Sequence, residues 1–259
     1  HALESLLMED WHHEKLSILL MNKINEEFDG ELSMALEMFQ GKYHRRFFNQ
    51  LISSQLDVDR LDYLKRDSFF TGVSEGSVNT QRIISMMNVC DDELVIDEKG
   101  VYSIENFLTA RMFMYWQVYY HKTSALAEHL LVKILSRAKQ LISEGKSIEA
   151  YGNLKYFLYK TDFEKATEED INRFTQLDDT DVLSAIKTWQ NADDFVLSYF
   201  CRAVVQRKFP KTVFSSHPFD QKIIEEKTTK ANDFFGINNG ELLVEQISRT
   251  LLPYDTEKQ

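Results

Sequence analysis

The sequence predicts a mostly α-helical protein with one small β-hairpin. Apolar residues recur every three or four positions along most of the chain, which is the spacing of one helix face. Three prolines and nine glycines in 259 residues are too few for a turn-rich sandwich or barrel. One stretch, "DELVIDEKGVYSI", alternates apolar and polar residues around Glu98, Lys99 and Gly100. It predicts a hairpin near residues 93–103.

Short helices joined by tight turns are predicted over residues 1–50, with breaks near Gly30 and Gly41. A longer helix follows in "SSQLDVDRLDYLKRD", where Asp57 is a suitable N-cap residue. The loop "FFTGVSEGSVNT" then leads to a further helix near residues 81–88.

Residues 104–142 form the most hydrophobic segment, with apolar or aromatic side chains on nearly every helix face. A helix of this kind is normally buried in a core. Arg111, His121 and Lys122 interrupt the segment, and a charge buried without a partner is costly. These side chains therefore either reach solvent or face an internal polar site.

Helices continue through the C-terminal part, which is also predicted to contain minor strands. In "TDVLSAIKTWQNADDFVLSYFCRAVVQ", Thr180 or Asp181 can cap a helix. Trp189 and Phe195 in the same stretch are predicted to fill a core.

Composition argues against several classes of function. The formal net charge of -11 and the pI near 5.2 disfavour a surface for duplex nucleic acid, which needs clustered lysine and arginine. Cys90 and Cys201 are too few for a disulfide framework and lack metal-site spacing, so both are predicted to be reduced, buried thiols. No charge-free apolar stretch could span a bilayer and no secretory signal opens the sequence, so we expect a cytoplasmic protein without a membrane partner.

Charge is concentrated in the "SSQLDVDRLDYLKRD" segment. Asp59, Tyr63 and Asp67 lie four residues apart and share one helix stripe, with Arg60 beside them. Two interpretations are open: a solvated charged face, or a stripe that faces inward onto a ligand. Asp59 offers the hard oxygen ligand that suits magnesium, manganese or iron. His13, in "DWHHEKLS", is either a general acid or base or an ordinary structural histidine.

Basic side chains on two segments are candidates for binding a polyphosphate. Arginine forks match phosphate oxygens and lysine supplies a point charge, so the candidates are Arg60, Arg111 and Lys122. Arg111 and Lys122 can share a helix stripe with Tyr115 and, one position off, with Tyr119.

The order of these pieces resembles a known family. "HALE", "HHE", "DVDRLDYLKRD" and "TAR" followed by "YYHK" resemble the downstream portion of HD-domain phosphohydrolases, in the dGTPase-like branch of deoxynucleoside triphosphate triphosphohydrolases. The resemblance is clear up to about residue 140 and looser through "LDDTDVLSAIKTW" and "RKFPK". It implies an HD-domain-like helical core in residues 1–145 and a mainly helical lobe in residues 146–259 for oligomerisation or regulation.

The resemblance implies a role for each residue of the charged stripe. Asp59 matches the last metal ligand of the family. Arg60 and Tyr63 match positions that contact the phosphates and the sugar. Asp67 matches the acid that binds the sugar hydroxyl.

The resemblance also extends to the hydrophobic segment. Arg111 and Tyr119 match contacts to the triphosphate and the nucleoside. Tyr120 departs from the glutamine that some relatives carry, so base selectivity does not follow from the resemblance.

The catalytic residues implied by the resemblance lie near the start of the chain. His13 matches the histidine near the scissile phosphate, with Glu4 as its supporting acid, and His1 ends the upstream His-Asp-x-Gly-His element. The family's other metal ligands, an upstream histidine and a His-Asp pair, are absent from these 259 residues. We therefore expect a longer protein, with the His-Asp pair within about ten residues before His1 and the other histidine some tens of residues further back. We expect the chain as given to be inactive, with its metal incompletely liganded.

For the complete protein, the resemblance implies metal-dependent hydrolysis of a deoxynucleoside triphosphate to deoxynucleoside and tripolyphosphate. The metal would be magnesium, manganese or iron, and the protein a homo-oligomer, dimer or tetramer, with a nucleotide effector in some relatives. One alternative is an HD phosphodiesterase or nucleotidase, which would need Asp59 but not a sugar-selective Tyr63 and Asp67. Another is a metal-free module for nucleotide binding or oligomerisation.

Overall fold

The computed structural model describes residues 13–160 and 167–248, so the predicted site residues His1 and Glu4 lie outside the described part. The described residues belong to two compact units that meet in sequence between Ser124 and Ala125. Helices dominate both units, and one small antiparallel sheet is present in the described residues. The predicted fold class, all-α with a small hairpin, is confirmed.

The first unit begins with a series of short helices separated by tight turns, as predicted. Gly30 and Gly41 have φ of 89° and 67°, a backbone conformation in which glycine avoids the steric cost of a Cβ atom. Asp57 caps the helix that begins at Val58 by accepting a hydrogen bond from the Arg60 amide at 2.7 Å. The helices are α1 (His13–Glu27), α2 (Ser33–Phe39), α3 (Arg46–Ile52), α4 (Val58–Thr71) and α5 (Thr80–Met86).

The core of this unit lies between α4, α5 and the helix α6 (Val101–Met114). Its fully buried side chains are Leu61, Leu64, Val78, Ile83, Phe107, Ala110 and Met114. Gly76, in a 3-10 turn after α4, lets the backbone approach α6, because a Cβ atom there would lie 2.4 Å from Met114 Sδ. This close approach ties α6 to the end of α4.

The hairpin lies earlier in the sequence than predicted. Strand β1 (Met87–Cys90) pairs with β2 (Glu93–Ile96), and Asp91 and Asp92 form the turn with φ of 51° and 66°. Positive φ at both central residues matches the twist of the two strands. The predicted turn at Glu98–Gly100 is instead a 3-10 turn that leads into α6.

Side chains from outside the turn fix the hairpin. The Asp92 carboxylate accepts hydrogen bonds from Arg45 Nε at 2.8 Å and from the Arg46 amide at 2.7 Å. Both outer edges of the sheet are occupied by amide side chains. On β2 the Leu94 amide donates to Gln50 Oε1 at 2.7 Å, and on β1 the Val89 amide donates to Asn88 Oδ1 at 2.8 Å.

The hydrophobic segment 104–142 is not one continuous α-helix. After α6, residues Tyr115–Tyr119 form a π-helical turn, in which the Tyr120 amide donates to the Tyr115 carbonyl at 2.7 Å. The chain then enters α7 (Lys122–Ser143). A π-turn inserts one extra residue and re-aims the side chains around it, and such turns are frequent at functional sites.

Helices are the regular elements in the described residues of the second unit, which contain no strand, so the predicted C-terminal strands are wrong for residues 146–160 and 167–248. Trp189 is buried as predicted, and its Nε1 donates to the Glu149 carbonyl at 2.6 Å. Asp178, rather than Thr180 or Asp181, is the N-cap of its helix, and Asp181 completes a capping box with it. The helices are α8 (Gly152–Tyr159), α9 (Glu168–Phe174), α10 (Asp179–Trp189), α11 (Phe195–Val205) and α12 (Gln221–Phe235).

The two cysteines differ in environment. Cys201 is buried in α11, as predicted, and burial raises the pKa of its thiol to about 12. Cys90 is exposed at the end of β1, so the prediction of a buried thiol there is wrong. Within the described ranges, no helix combines the length and the apolar character needed to cross a bilayer.

Candidate functional site

Arg111 lies at the centre of a partly buried polar cluster in the first unit. Its side chain is on α6, and the residue is only 8% exposed. The guanidinium carbon lies 5.5 Å from the ring centroid of Tyr115, one helical turn further on, which is cation–π geometry. Arg111 therefore faces an internal polar site and does not reach freely into solvent, which decides between the two possibilities left open by the sequence.

Three further side chains join Arg111 from α4 and the π-turn. The Tyr119 hydroxyl donates to Asp67 Oδ2 at 2.6 Å, across 52 positions of sequence. The Tyr63 and Tyr119 rings meet edge to face with centroids 6.2 Å apart, and Tyr115 contacts Tyr119 in the same way at 5.1 Å. We refer to Arg111, Tyr63, Tyr115, Tyr119 and Asp67 as the Arg111 cluster.

Both phenols that face Asp67 and Arg111 are held in their protonated form. Burial raises the pKa of Tyr119 strongly, and the hydrogen bond to the Asp67 carboxylate raises it further. Burial also raises the pKa of Tyr63, although the nearby Arg111 and Arg60 charges and a hydrogen bond from Arg111 oppose that rise. At neutral pH these hydroxyls are hydrogen-bond donors and not bases.

Arg60 is attached to the N-terminus of α4 by Asp57. Asp57 is 5% exposed, and its Oδ2 accepts from Arg60 Nη1 at 3.2 Å while its Oδ1 accepts from the Arg60 amide. The Arg60 charge acts on the Tyr63 phenol, which places Arg60 beside the Arg111 cluster. The charges of two guanidinium groups, those of Arg60 and Arg111, thus act on the Tyr63 phenol.

Three predicted site residues are exposed and lie outside this cluster. Asp59 is in the first turn of α4, His13 begins α1 and Lys122 begins α7. Tyr63 and Asp67 are half-buried, whereas Asp59 is exposed, and the role of Asp59 as a metal ligand stays a prediction. Asp59 is the second residue of α4 and lies two positions after the buried N-cap residue Asp57.

The described residues do not form a metal site by themselves. No group of three or more His, Cys, Asp or Glu side chains in residues 13–160 and 167–248 is arranged to hold a metal ion. Asp59 supplies a single exposed carboxylate, and one monodentate or bidentate carboxylate falls short of the coordination that magnesium, manganese or iron requires. We therefore assign no chemical step to a metal on these residues.

The cluster as it stands suits a ligand that carries both phosphate and hydroxyl groups. Arg111, with Arg60 beside the cluster, offers planar donors for phosphate oxygens, and the Asp67 carboxylate can accept a hydrogen bond from a hydroxyl. Sequence reasoning assigned no site role to Asp57 or Tyr115. The i, i+4 spacing of Arg111 and Tyr115 could have indicated the contact between their side chains. The Asp57–Arg60 side-chain bond has no separate sequence signal, because the capping role of Asp57 already explains its position.

A second buried polar cluster occupies the other unit. Asp170, which is 1% exposed, accepts hydrogen bonds from Lys160, from the Thr167 amide at 2.8 Å and hydroxyl at 2.7 Å, and from the Tyr156 hydroxyl at 2.8 Å. Burial works against ionisation of Asp170, but these donors outweigh it and hold the pKa of the carboxyl well below its usual range. The Arg173 guanidinium carbon stacks 4.4 Å from the Tyr156 ring centroid. We refer to this group as the Asp170 cluster.

Comparisons with known proteins point to one class. Residues 78–156 match a family model described as an HD associated region. A phosphohydrolase from Bacteroides thetaiotaomicron, known from its crystal structure, is 45% identical with a TM-score of 0.88, and the match covers 94% of this chain and 61% of that one. These findings support an HD-domain phosphohydrolase and agree with the resemblance seen in the sequence.

Two curated relatives are also similar to this chain. The uncharacterized protein YwfO of Bacillus subtilis is 34% identical over 236 residues, which are 91% of this chain and 52% of that protein. The deoxynucleoside triphosphate triphosphohydrolase SAMHD1 homologue of Dictyostelium discoideum is 27% identical over 166 residues, 58% of this chain and 32% of that protein. The chain thus spans about half the length of YwfO and less of the SAMHD1 homologue.

Proposed function

We propose that the Arg111 cluster binds a deoxynucleoside triphosphate and that the protein hydrolyses it to deoxynucleoside and tripolyphosphate. The observation that carries the proposal is the Tyr119–Asp67 hydrogen bond beside buried Arg111. It joins a group that recognises a sugar hydroxyl to a group that recognises phosphate. The likeness to a named deoxynucleoside triphosphate triphosphohydrolase and to a phosphohydrolase supports this choice of substrate.

Each residue then has a defined task. Arg60 and Arg111 bind phosphate oxygens and stabilise the negative charge that develops on them during hydrolysis. Asp67 accepts a hydrogen bond from the sugar hydroxyl, while Tyr119 and Tyr63 pack against the sugar and exclude water from it. Neutral phenols do not repel the phosphates, so Tyr63 and Tyr119 are compatible with this position.

The reaction breaks the bond between the 5′ oxygen and the α-phosphorus. Water supplies the new oxygen on phosphorus, and the 5′ oxygen leaves with a proton. His13 is proposed to handle a proton, with Glu4 and His1 in supporting roles, although Glu4 and His1 lie outside the described residues. Asp59 is proposed as one ligand of a divalent metal whose other ligands come from outside these 259 residues, and Lys122 as a further phosphate contact.

The proposal also includes association between copies of the chain, binding of a nucleotide effector and a cytoplasmic location. A homo-oligomer, dimer or tetramer, is expected from the resemblance to the family. No role with duplex nucleic acid is proposed, because the acidic chain has a formal net charge of -11.

The test is a product assay on the purified full-length protein. It is incubated with Mn²⁺ and each deoxynucleoside triphosphate, and in parallel with each ribonucleoside triphosphate, and phosphate products are separated by ion-exchange chromatography. We expect tripolyphosphate and deoxynucleoside in equal amounts. Orthophosphate or a nucleoside monophosphate would instead identify a phosphodiesterase or nucleotidase, and binding by calorimetry without any product would identify a nucleotide-binding module.

A further inference from the structure

We propose that Asp57 is a positioning residue that aims the Arg60 guanidinium at the substrate phosphates. The inference rests on the proposed function, because it gives Arg60 its target. It adds a task to a residue whose capping role alone would have been sufficient to explain its place in the sequence.

The buried carboxylate of Asp57 binds both the backbone amide and the guanidinium group of Arg60. Asp57 Oδ1 accepts from the Arg60 backbone amide at 2.7 Å, and Asp57 Oδ2 accepts from Arg60 Nη1 at 3.2 Å. Oδ2 also accepts from the Ser54 amide at 3.3 Å, which fixes the carboxylate plane from the other side. The side chain of Asp57 is 6% exposed and that of Arg60 is 25% exposed, so little water competes for this contact.

This contact leaves the side-on edge of the guanidinium without an acceptor among the described residues. Nε and Nη2 form the side-on edge that can bind two oxygens of one phosphate, whereas Asp57 takes Nη1 on the far side. Arg60 Nε is buried, and among the described residues it has no hydrogen-bond partner. A buried donor without a partner needs an explanation, and a bound phosphate would supply the missing acceptor.

The second unit contains the same pair of residues in a closed form. Asp194 caps α11 by accepting from the Leu197 amide at 2.9 Å, and it binds Arg137 through both Nε at 3.1 Å and Nη2 at 2.6 Å. There the carboxylate occupies the side-on edge of the arginine, so the pair is complete. Asp57 instead accepts only from Nη1 of its arginine and leaves Nε and Nη2 without an acceptor in the described part of the chain. This difference assigns to Asp57 the role of orienting a ligand-binding arginine and to Asp194 a structural role.

The test compares Asp57→Asn and Asp57→Ser with Asp194→Asn in the full-length protein. Asparagine and serine are good N-cap residues, so α4 keeps its start, but neither offers Arg60 a charged acceptor. We expect kcat with a deoxynucleoside triphosphate to fall at least about 10-fold in both Asp57 variants, because Arg60 loses the orientation in which it binds the substrate phosphates. Asp194→Asn should lower the thermal midpoint as much or more, and leave kcat unchanged.

A double-mutant cycle with Arg60→Met separates positioning from a general structural effect. If Asp57 acts through Arg60, Asp57→Asn will cause no further loss of kcat in the Arg60→Met background. Equal losses in both backgrounds, or unchanged kcat in Asp57→Asn, would overturn the inference.

The four proteins of this cycle are the wild type, Asp57→Asn, Arg60→Met and the double variant. Their affinities for inorganic tripolyphosphate, measured by calorimetry, test the inference independently of the proposed function. A wild-type protein that hydrolyses no deoxynucleoside triphosphate refutes the proposed function. In that case the inference still requires Asp57→Asn to change tripolyphosphate affinity only when Arg60 is present. Independent effects of the two substitutions, or no tripolyphosphate binding by the wild-type protein, refute the inference itself.

Discussion

Asp67 in the first unit and Asp170 in the second each accept a hydrogen bond from a tyrosine hydroxyl, at 2.6 Å and 2.8 Å. Asp170 is almost inaccessible and also accepts from Lys160 and twice from Thr167. Asp67 is half-buried, and among the described residues its carboxylate accepts only from Tyr119.

The difference lies in how much hydrogen-bonding capacity each carboxylate has left. A buried carboxylate with several donors, one of them a lysine, has its hydrogen-bonding capacity filled and locks the helices around it. A half-buried carboxylate with one donor keeps lone pairs for a ligand. Asp67 in the Arg111 cluster is a carboxylate of this second kind, with a single donor among the described residues. Substitutions in the two clusters should therefore have different effects on activity and stability.

The largest effect is expected for Arg111→Met. Methionine fills the buried volume but removes the charge that stabilises developing negative charge on the phosphates, so kcat/KM for the deoxynucleoside triphosphate should fall by roughly 10² to 10³. Tripolyphosphate release is the measurement. Lys160→Met in the Asp170 cluster is the matched control and should leave kcat/KM within about twofold; a similar loss in both variants would remove the distinction between the clusters.

Tyr119→Phe is expected to have a smaller and more selective effect. Loss of the hydroxyl frees Asp67 from its internal donor and opens space beside the sugar. The preference for deoxynucleoside over ribonucleoside triphosphates, taken as the ratio of kcat/KM values, should fall about 10-fold. Tyr156→Phe removes the corresponding hydroxyl from Asp170 and should leave that ratio as it is, and an unchanged ratio in Tyr119→Phe would exclude Tyr119 from sugar selection.

The smallest expected effect on activity comes from Asp170→Asn, which acts on stability. Removing this carboxylate leaves Lys160 without its charged acceptor, and we expect a loss of about 2 kcal/mol in the free energy of unfolding at pH 7. The Asp170 pKa is lower in the folded than in the unfolded chain, so its contribution is complete above the unfolded value of about 4 and fades as the pH falls below it.

Denaturant unfolding of wild type and Asp170→Asn at pH 7 and at pH 3 measures this contribution. The stability gap between them should narrow at the lower pH, while kcat at neutral pH stays the same. A gap that is constant across this range would show that Asp170 is not ionised in the folded chain.

Local signals in the sequence predicted more than long-range ones. The role of Asp57 as a cap followed from its position before an amphipathic helix, because capping involves only the next three residues. The Asp170 cluster was missed, although Thr167 and Asp170 have the three-residue spacing of a capping box. Its partner Lys160 comes from the preceding helix, and no spacing rule predicts that contact.

The hairpin and the π-turn show where pattern reasoning fails. The Asp91–Asp92 turn has positive φ at two residues that are not glycine, so the glycine-containing stretch at Gly100 was the stronger turn signal. The hydrophobic pattern does not predict the π-turn at Tyr115–Tyr119, because nearly every face of that segment is apolar or aromatic. Burial of Arg111 without burial of Asp59 likewise depends on packing between helices and not on periodicity.

The amides of Gln50 and Asn88 have a consequence for self-assembly. Each fills an outward-facing backbone donor that a third strand would otherwise use, so lateral growth of the two-stranded ribbon must first break one of these bonds. A third strand should therefore pair with this ribbon more readily when Gln50 or Asn88 is substituted.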